Sequence, residues 1–280
     1  MNVQITLPSN GRRLDVSPMT TKQVDKLISP KYKSESNELF FRDVIPSCLG
    51  IPFSEYAEFL IGDETSVIAG LFEATFGKEV KYKLECPNCS TKQDFVNILE
   101  NVPAITYDPQ KPPPTEGLSF EYQGTTICFH LLRVRERLEA AQAAQAVQIQ
   151  TGGEEFPLIT FSLAAHIDSI SAVKPAELPA EFQNVNIPPS IQRVAIQEWV
   201  QDAPFGFVGE FKKAIEEHSC GLDLEAEHNC PKCGEKFREE VPLLPCFFSG
   251  TGSQKGRRLK TIPSKALWVA TSSISSSNTP

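Results

Sequence analysis

Two stretches of the chain, KLECPNCSTKQDFVNI (residues 83–98) and LEAEHNCPKCGEKFREEV (residues 224–241), each carry a Cys-Pro-x-Cys pair between runs that read as short strands. A thiolate pair at this spacing either stays an unliganded buried pair or does one of two things. It grips a metal from a sharply turned knuckle, or it cycles between dithiol and disulfide. A redox pair sits where a helix starts at the first cysteine, because the helix terminus lowers that thiol's pKa. Neither stretch opens an amphipathic helix, and KQDFVNI and EKFREEV read as strands, so the residues favour metal. Two knuckles together supply Cys86, Cys89, Cys230 and Cys233, a four-thiolate tetrahedral set suited to Zn2+. Four protein ligands close the coordination shell, so the zinc expected here is structural rather than catalytic. Gly234 fits the tight left-handed turn after the second pair, and Ser90 fits the equivalent place less well.

The spacing is unusual, with 140 residues between Cys89 and Cys230 where consecutive zinc ribbons have roughly 15–20. Loop-closure entropy grows by only about 0.6 kcal/mol per doubling, so the longer spacer adds about 1.7 kcal/mol. Structural zinc supplies on the order of 10 kcal/mol or more. His228, two residues before Cys230, reads as a group behind the ligands, an alternative ligand or a plain strand histidine. His130 reads as half-buried or exposed on a strand.

The rest of the composition bounds what such a site can serve. The chain has 280 residues, 40 % of them hydrophobic, and a net charge of −8, enough to bury a core and contrary to a main role in gripping a polyanion. The N-terminal stretch has no secretory pattern and no window nears the ~18 apolar residues of a membrane span, so synthesis in a cytosol and no membrane partner are expected. In that compartment eight cysteines point to metal ligands and buried thiols (Cys48, Cys128, Cys220 and Cys246 are the singletons). Lys83, Lys92, Lys232 and Lys236 near the knuckles are offset by Glu85, Asp94, Glu235, Glu239 and Glu240. A zinc-ribbon nucleic-acid-binding regulator is therefore the alternative reading rather than the first. No phosphate-binding glycine loop, dinucleotide fingerprint or nucleophile elbow occurs, so no enzyme is expected.

The elements that must position the cysteines follow from periodicity and punctuation. VQITLPSNG reads as a strand and turn, SPMTTKQVDKLI as a helix beginning near Ser17 and ended by Pro30, and SNELFFRDVIPSCL and TSVIAGLFEATFG as helices, the latter capped by Gly77. LSFEYQGTTICFHLLRV reads as a hairpin turning at Gln123-Gly124. RERLEAAQAAQAVQIQTGG is the best helix by propensity, with a thin Ala-rich face for a helix of this chain or of a partner. PLITFSLAAHIDSI reads as moderately helical, and the segment from Ser190 to Gly221 as two helices broken at Pro204 with stripes of Ile191, Ala195 and Trp199 and of Phe207, Phe211 and Ile215.

The fold class expected is α+β, a mixed helical body with short β-hairpins and a split four-cysteine zinc ribbon. Its plan is an N-terminal strand and helical region (1–80), a first half-ribbon (81–100), a Pro-rich linker (101–117), a hairpin and helical insertion (118–219), a second half-ribbon (220–248) and a Ser-rich, basic tail (249–280).

The opening LPSNG, then VSPMT, then a helix, with the ending FREEVPLLPCFF, resembles the T-even-type baseplate hub assembly proteins of contractile-tailed phages over roughly residues 3–248. The resemblance implies a phage baseplate factor, either a chaperone for building the hub or a subunit retained in the virion. It brings no catalytic residues, and it carries over only Cys86, Cys89, Cys230 and Cys233. Other tail and hub proteins are the partners implied, with location in the virion's baseplate, in the host cytoplasm during assembly, or both. The tail, QKGRRLKTIPSKALWVATSSI in particular, is outside the resemblance. It is expected to dock on a neighbour, with KALWVATSSI adding to a sheet edge.

Overall fold

A computed structural model of the chain describes residues 2–29, 36–111, 114–153, 157–171 and 189–244. The tail at 249–280 with its strand reading, Cys246, the aromatics at 247–248, the connection at 174–188, the stop at Pro30 and the side chain of Ile191 lie outside the described residues. The chain forms two compact units, one from Met1–Thr106 together with the chain from Cys220 onward, the other from Tyr107–Ser219. The class is α+β, with helices and short antiparallel strand pairs.

The first unit opens with the hairpin β1 (Val3–Thr6) and β2 (Arg13–Val16), whose alternation buries Leu14 and Val16. The turn residues of LPSNG have a specific task. Ser9 donates from its N–H (2.9 Å) and its Oγ (2.6 Å) to the carboxylate of Asp63, which burial otherwise pushes up in pKa. Helix α1 (Thr21–Ile28) starts later than Ser17 because Thr20 and Gln23 form a reciprocal capping box. The next helical run is α2 (Ser36–Leu39), a π-helical turn (Phe40–Val44) that buries Phe40, Phe41 and Val44, and α3 (Ile45–Leu49), closed by left-handed Gly50. After the short α4 (Phe53–Tyr56) comes α5 (Ile61–Phe76), buried on most sides and therefore central. Gly70 lets the first hairpin lie on it, since a Cβ there would fall 2.4 Å from Ile5 Cγ2.

Gly77 ends α5, and the chain enters β3 (Glu79–Glu85) and β4 (Lys92–Ile98), paired over seven positions. Within the stretch expected as an extended linker, Ala104–Ile105 forms a two-residue strand, β5.

The second unit holds β6 (Leu118–Tyr122) and β7 (Thr125–Phe129), joined at Gln123 (φ 49°) and Gly124 (φ 79°), the two left-handed residues a tight hairpin requires. The Ala-rich α6 (Val134–Gln150) packs on α7 (Leu158–His166) through Ala140 and Ala144, so a helix of the same chain covers its thin face. The sequence after α7 is not helical as expected. It forms β8 (Ile167–Ile170), a third strand beside β7, because Ile167 and Ile170 are buried there. Helices α8 (Pro189–Asp202) and α9 (Phe205–His218) break at Pro204. The α9 stripe of Phe207, Phe211 and Ile215 is buried against Phe120, Tyr122 and Phe129 of the sheet.

Back in the first unit, β9 (Gly221–Leu222) pairs with β5, and β10 (Glu225–Asn229) pairs with β11 (Lys236–Glu240). The returning chain is locked onto α5. Thr65 Oγ1 accepts from Leu222 N at 3.0 Å, and a Cβ on Gly62 would sit 2.0 Å from Cys220 O. Among the described residues no helix is long and apolar enough to cross a membrane.

Candidate metal centre

Each cysteine pair sits in the turn of its own hairpin, and the two turns share a construction. Cys86 N donates to Thr91 O (3.0 Å) and Ser90 N to Cys86 O (2.9 Å); Cys230 N donates to Glu235 O (2.8 Å) and Gly234 N to Cys230 O (2.8 Å). Both turns need a left-handed residue after the second cysteine, met by Ser90 at φ 53° and Gly234 at φ 76°. The register matches as well, with Glu85 opposite Lys92 and Asn229 opposite Lys236 directly outside the turns.

The hairpins meet through aromatic side chains. The cross-strand pairs Tyr82–Phe95 and His228–Phe237 face each other, with ring centroids 4.5 Å apart for Phe95–His228, 5.9 Å for Tyr82–His228 and 6.2 Å for Phe95–Phe237. His228 is thus a buried member of this ring cluster and stands outside the four-sulfur group. Burial lowers its pKa first of all.

Packing the hairpins this way draws four sulfurs together. The ligand atoms of Cys86, Cys89, Cys230 and Cys233 all lie within 4.8 Å of one another, with Cys86–Cys233 and Cys89–Cys230 each at 3.6 Å. These contacts are far longer than the ~2.05 Å of a disulfide. They match the edge of a tetrahedron with ~2.3 Å metal–sulfur arms, about 3.8 Å. With only protons to neutralise them, the thiols divide. Cys89 is drawn down to about 6, first by the Thr91 hydroxyl at 3.3 Å and then by the Thr91 backbone. At Cys233 the backbone bond from Glu235 lowers the thiol, but desolvation and the neighbouring sulfurs together outweigh it and push the thiol up to about 12. Four thiolates this close repel one another, and a divalent cation between them would remove that conflict. The four cysteines can hold a metal.

Residues 1–175 match the family model described as T4 bacteriophage base plate protein. The chain belongs to this family. No curated protein and no solved structure matches it. Membership in the base plate family implies a structural role in a T4-type phage baseplate, a place in the virion tail and contact with other baseplate or tail proteins. The matched segment contains Cys86 and Cys89 and ends before Cys230 and Cys233. The second knuckle is joined to the first by the fold.

Two sets of polar residues escaped the sequence reading. Gln93 Nε2 donates to Cys230 Sγ at 2.9 Å, and Asn88 Nδ2 lies 3.9 Å from Cys233 Sγ. In the second unit, His130, expected half-buried or exposed on a strand, is instead buried just past the end of β7, between Asp168 (Nδ1 to Oδ1, 2.8 Å) and Glu136 (Nε2 to Oε2, 3.4 Å). Burial alone would lower His130, but the bonds to the two carboxylates outweigh it and raise the imidazole to about 9. Behind it, fully buried His166 is pushed down to about 3, chiefly by desolvation, and its neutral ring donates from Nδ1 to His130 O at 2.7 Å. Nothing local in the sequence pairs residues 130, 136 and 168.

Proposed function

We propose that this base plate protein is a non-enzymatic factor in building the baseplate hub, a chaperone or a retained subunit, whose first unit is clasped by one structural zinc on Cys86, Cys89, Cys230 and Cys233. The observation that carries the zinc reading is the approach of four sulfurs, from knuckles 140 residues apart, to tetrahedral edge distance. A tetrahedral all-thiolate set suits zinc or an iron–sulfur centre, and two knuckles around one closed site favour a single zinc. When bound, the ion would supply cross-linking energy between the hairpins and no open position for chemistry.

The docking role rests on the family together with the charge around the knuckles. Lys83 pairs with Asp94 at 3.2 Å and Lys236 with Glu227 at 3.7 Å, which supports a protein-facing surface over one that grips a phosphate backbone. The segment beyond 249 is the part we propose docks on a neighbouring tail protein.

The test is co-expression with tail hub proteins under reducing conditions, followed by metal analysis and fractionation of assembled tails. One zinc per chain and co-purification with hub proteins are expected. Presence in finished tails marks a retained subunit, and presence only in intermediates marks a chaperone. Protein that purifies without metal refutes the zinc, and salt-sensitive nucleic-acid binding without tail partners refutes the assembly role.

A further inference from the structure

The two cysteine hairpins are built alike, so they can be compared position by position. Seven residues after the first cysteine of its pair, the second hairpin carries Phe237, opposite His228; the first carries Gln93, opposite Leu84. Both positions face inward, on the side that packs against the other hairpin, and both are partly buried. An apolar side chain is the simple solution there, as the second hairpin demonstrates. Gln93 instead places a carboxamide whose Oε1 is buried and has no hydrogen-bond partner among the described residues. Its Nε2 crosses to the opposite knuckle and donates to Cys230 Sγ at 2.9 Å. A buried amide with one end unsatisfied is unfavourable, and the bond made by the other end offsets part of that cost.

We infer that Gln93 is a positioning residue for the metal centre, whose amide orients the Cys230 thiolate and withdraws electron density from it across the hairpin interface. The inference rests on the zinc reading above and adds a residue to it. A thiolate that accepts an N–H bond carries less free charge, which suits four anionic ligands around one divalent ion and makes that sulfur a poorer nucleophile toward oxidants and alkylating agents. Outer partners of metal ligands tune affinity in this way, and losing one typically weakens the metal 10–100-fold. Asn88 Nδ2 donates to Cys233 Sγ over a longer 3.9 Å. Of the two side-chain amides at the centre, Gln93 makes the shorter bond, and it falls on Cys230.

The experiment uses the full-length chain loaded with Co2+ and then with Zn2+. Gln93→Met keeps the volume and removes the donor, Gln93→Glu keeps the size and sets a carboxylate against the sulfur, and Asp94→Asn on the outward face is the control. The wild type is expected to take one Co2+ with an intense sulfur-to-cobalt band. Gln93→Met should shift that band to lower energy and release Zn2+ to a chelator roughly 10–100-fold more readily, Gln93→Glu should be weaker still, and Asp94→Asn should match the wild type. A band and a release rate for Gln93→Met and Gln93→Glu within two-fold of wild type overturn the inference while leaving the zinc site standing. A wild type that takes up no metal overturns the zinc reading itself.

Discussion

At the scale of single residues, the clearest asymmetry lies between Ser90 and Gly234. Both hold the left-handed turn after a knuckle, at φ 53° and 76°, but only glycine does so without Cβ crowding, worth about 1–2 kcal/mol per residue. Gly234→Ser should lower the stability of the metal-loaded protein by about 1 kcal/mol, and Ser90→Gly should leave it unchanged or slightly raised, both read as shifts in the thermal midpoint. The opposite ordering would mean that Ser90 makes contacts that outweigh its backbone cost. The ligands themselves carry more. Cys86 is almost fully buried, and Cys86→Ser should abolish stoichiometric zinc and separate the hairpins, seen as lost protection of the β10 and β11 amides in hydrogen exchange.

Between elements, two contacts decide how the pieces hold. Gly62 on α5 meets the returning chain so closely that a Cβ would lie 2.0 Å from Cys220 O, a backbone atom that cannot swing aside. Gly62→Ala should therefore cost about 1–3 kcal/mol through forced separation of α5 from β9, measured by denaturant unfolding, with the isolated second unit unaffected. In that second unit the histidine pair sets a pH window. His130, raised to about 9 between Asp168 and Glu136, contributes stability that is fully present below its unfolded value near 6.5 and is lost as pH rises through 9. His166 and Glu136 act in the other direction. With His166 depressed to about 3 and Glu136 to about 2, their contributions are present at neutral pH and are lost as the medium is acidified through those values. Protection factors of the β7 and β8 amides, exchange rates divided by their intrinsic rates at each pH, should be highest near pH 6–7 and fall on both sides. A flat profile would mean that the Asp168–His130–Glu136 set does not hold the sheet to α6.

For the whole molecule, the long spacer between the knuckles becomes short once the chain is followed through space. Ile105 pairs with Gly221, so the outgoing and returning strands zip together where the Tyr107–Ser219 unit is inserted. Only 16 residues lead from Cys89 to Ile105 and 9 from Gly221 to Cys230, 25 in all, close to the roughly 15–20 of a consecutive ribbon. A metal on the four cysteines would therefore not close a 140-residue loop unaided, since the β5–β9 pairing and the contact of β9 with α5 already draw the knuckles together. Replacing residues 107–219 by a short Gly-Asn link should leave a chain that still binds one zinc, while residues 107–219 alone should fold with native-like circular dichroism. Loss of metal binding in the shortened chain would show that the inserted unit is needed to align the knuckles. Deleting residues 250–280 should weaken incorporation into tails and leave the zinc content intact. Undiminished incorporation would remove the tail from the docking role.

The sequence by itself determined what is local. The knuckles were legible because a Cys-Pro-x-Cys turn with a left-handed residue after it is specified by adjacent residues, and the Gln123-Gly124 hairpin and the break at Pro204 were legible for the same reason. The α+β class followed from periodicities that each span one element. Only the tertiary structure decided what depends on distant partners. Ile167–Ile170 is a strand because β7 lies beside it, and Ala104–Ile105 is paired because the chain returns 116 residues later at Gly221. His130 is raised in pKa because Asp168 and Glu136 converge on it and outweigh its burial, and Gln93 faces a sulfur because the second hairpin stacks on the first. Those contacts join residues whose separation in sequence carries no periodic signal, so their energies exist only once the chain has folded.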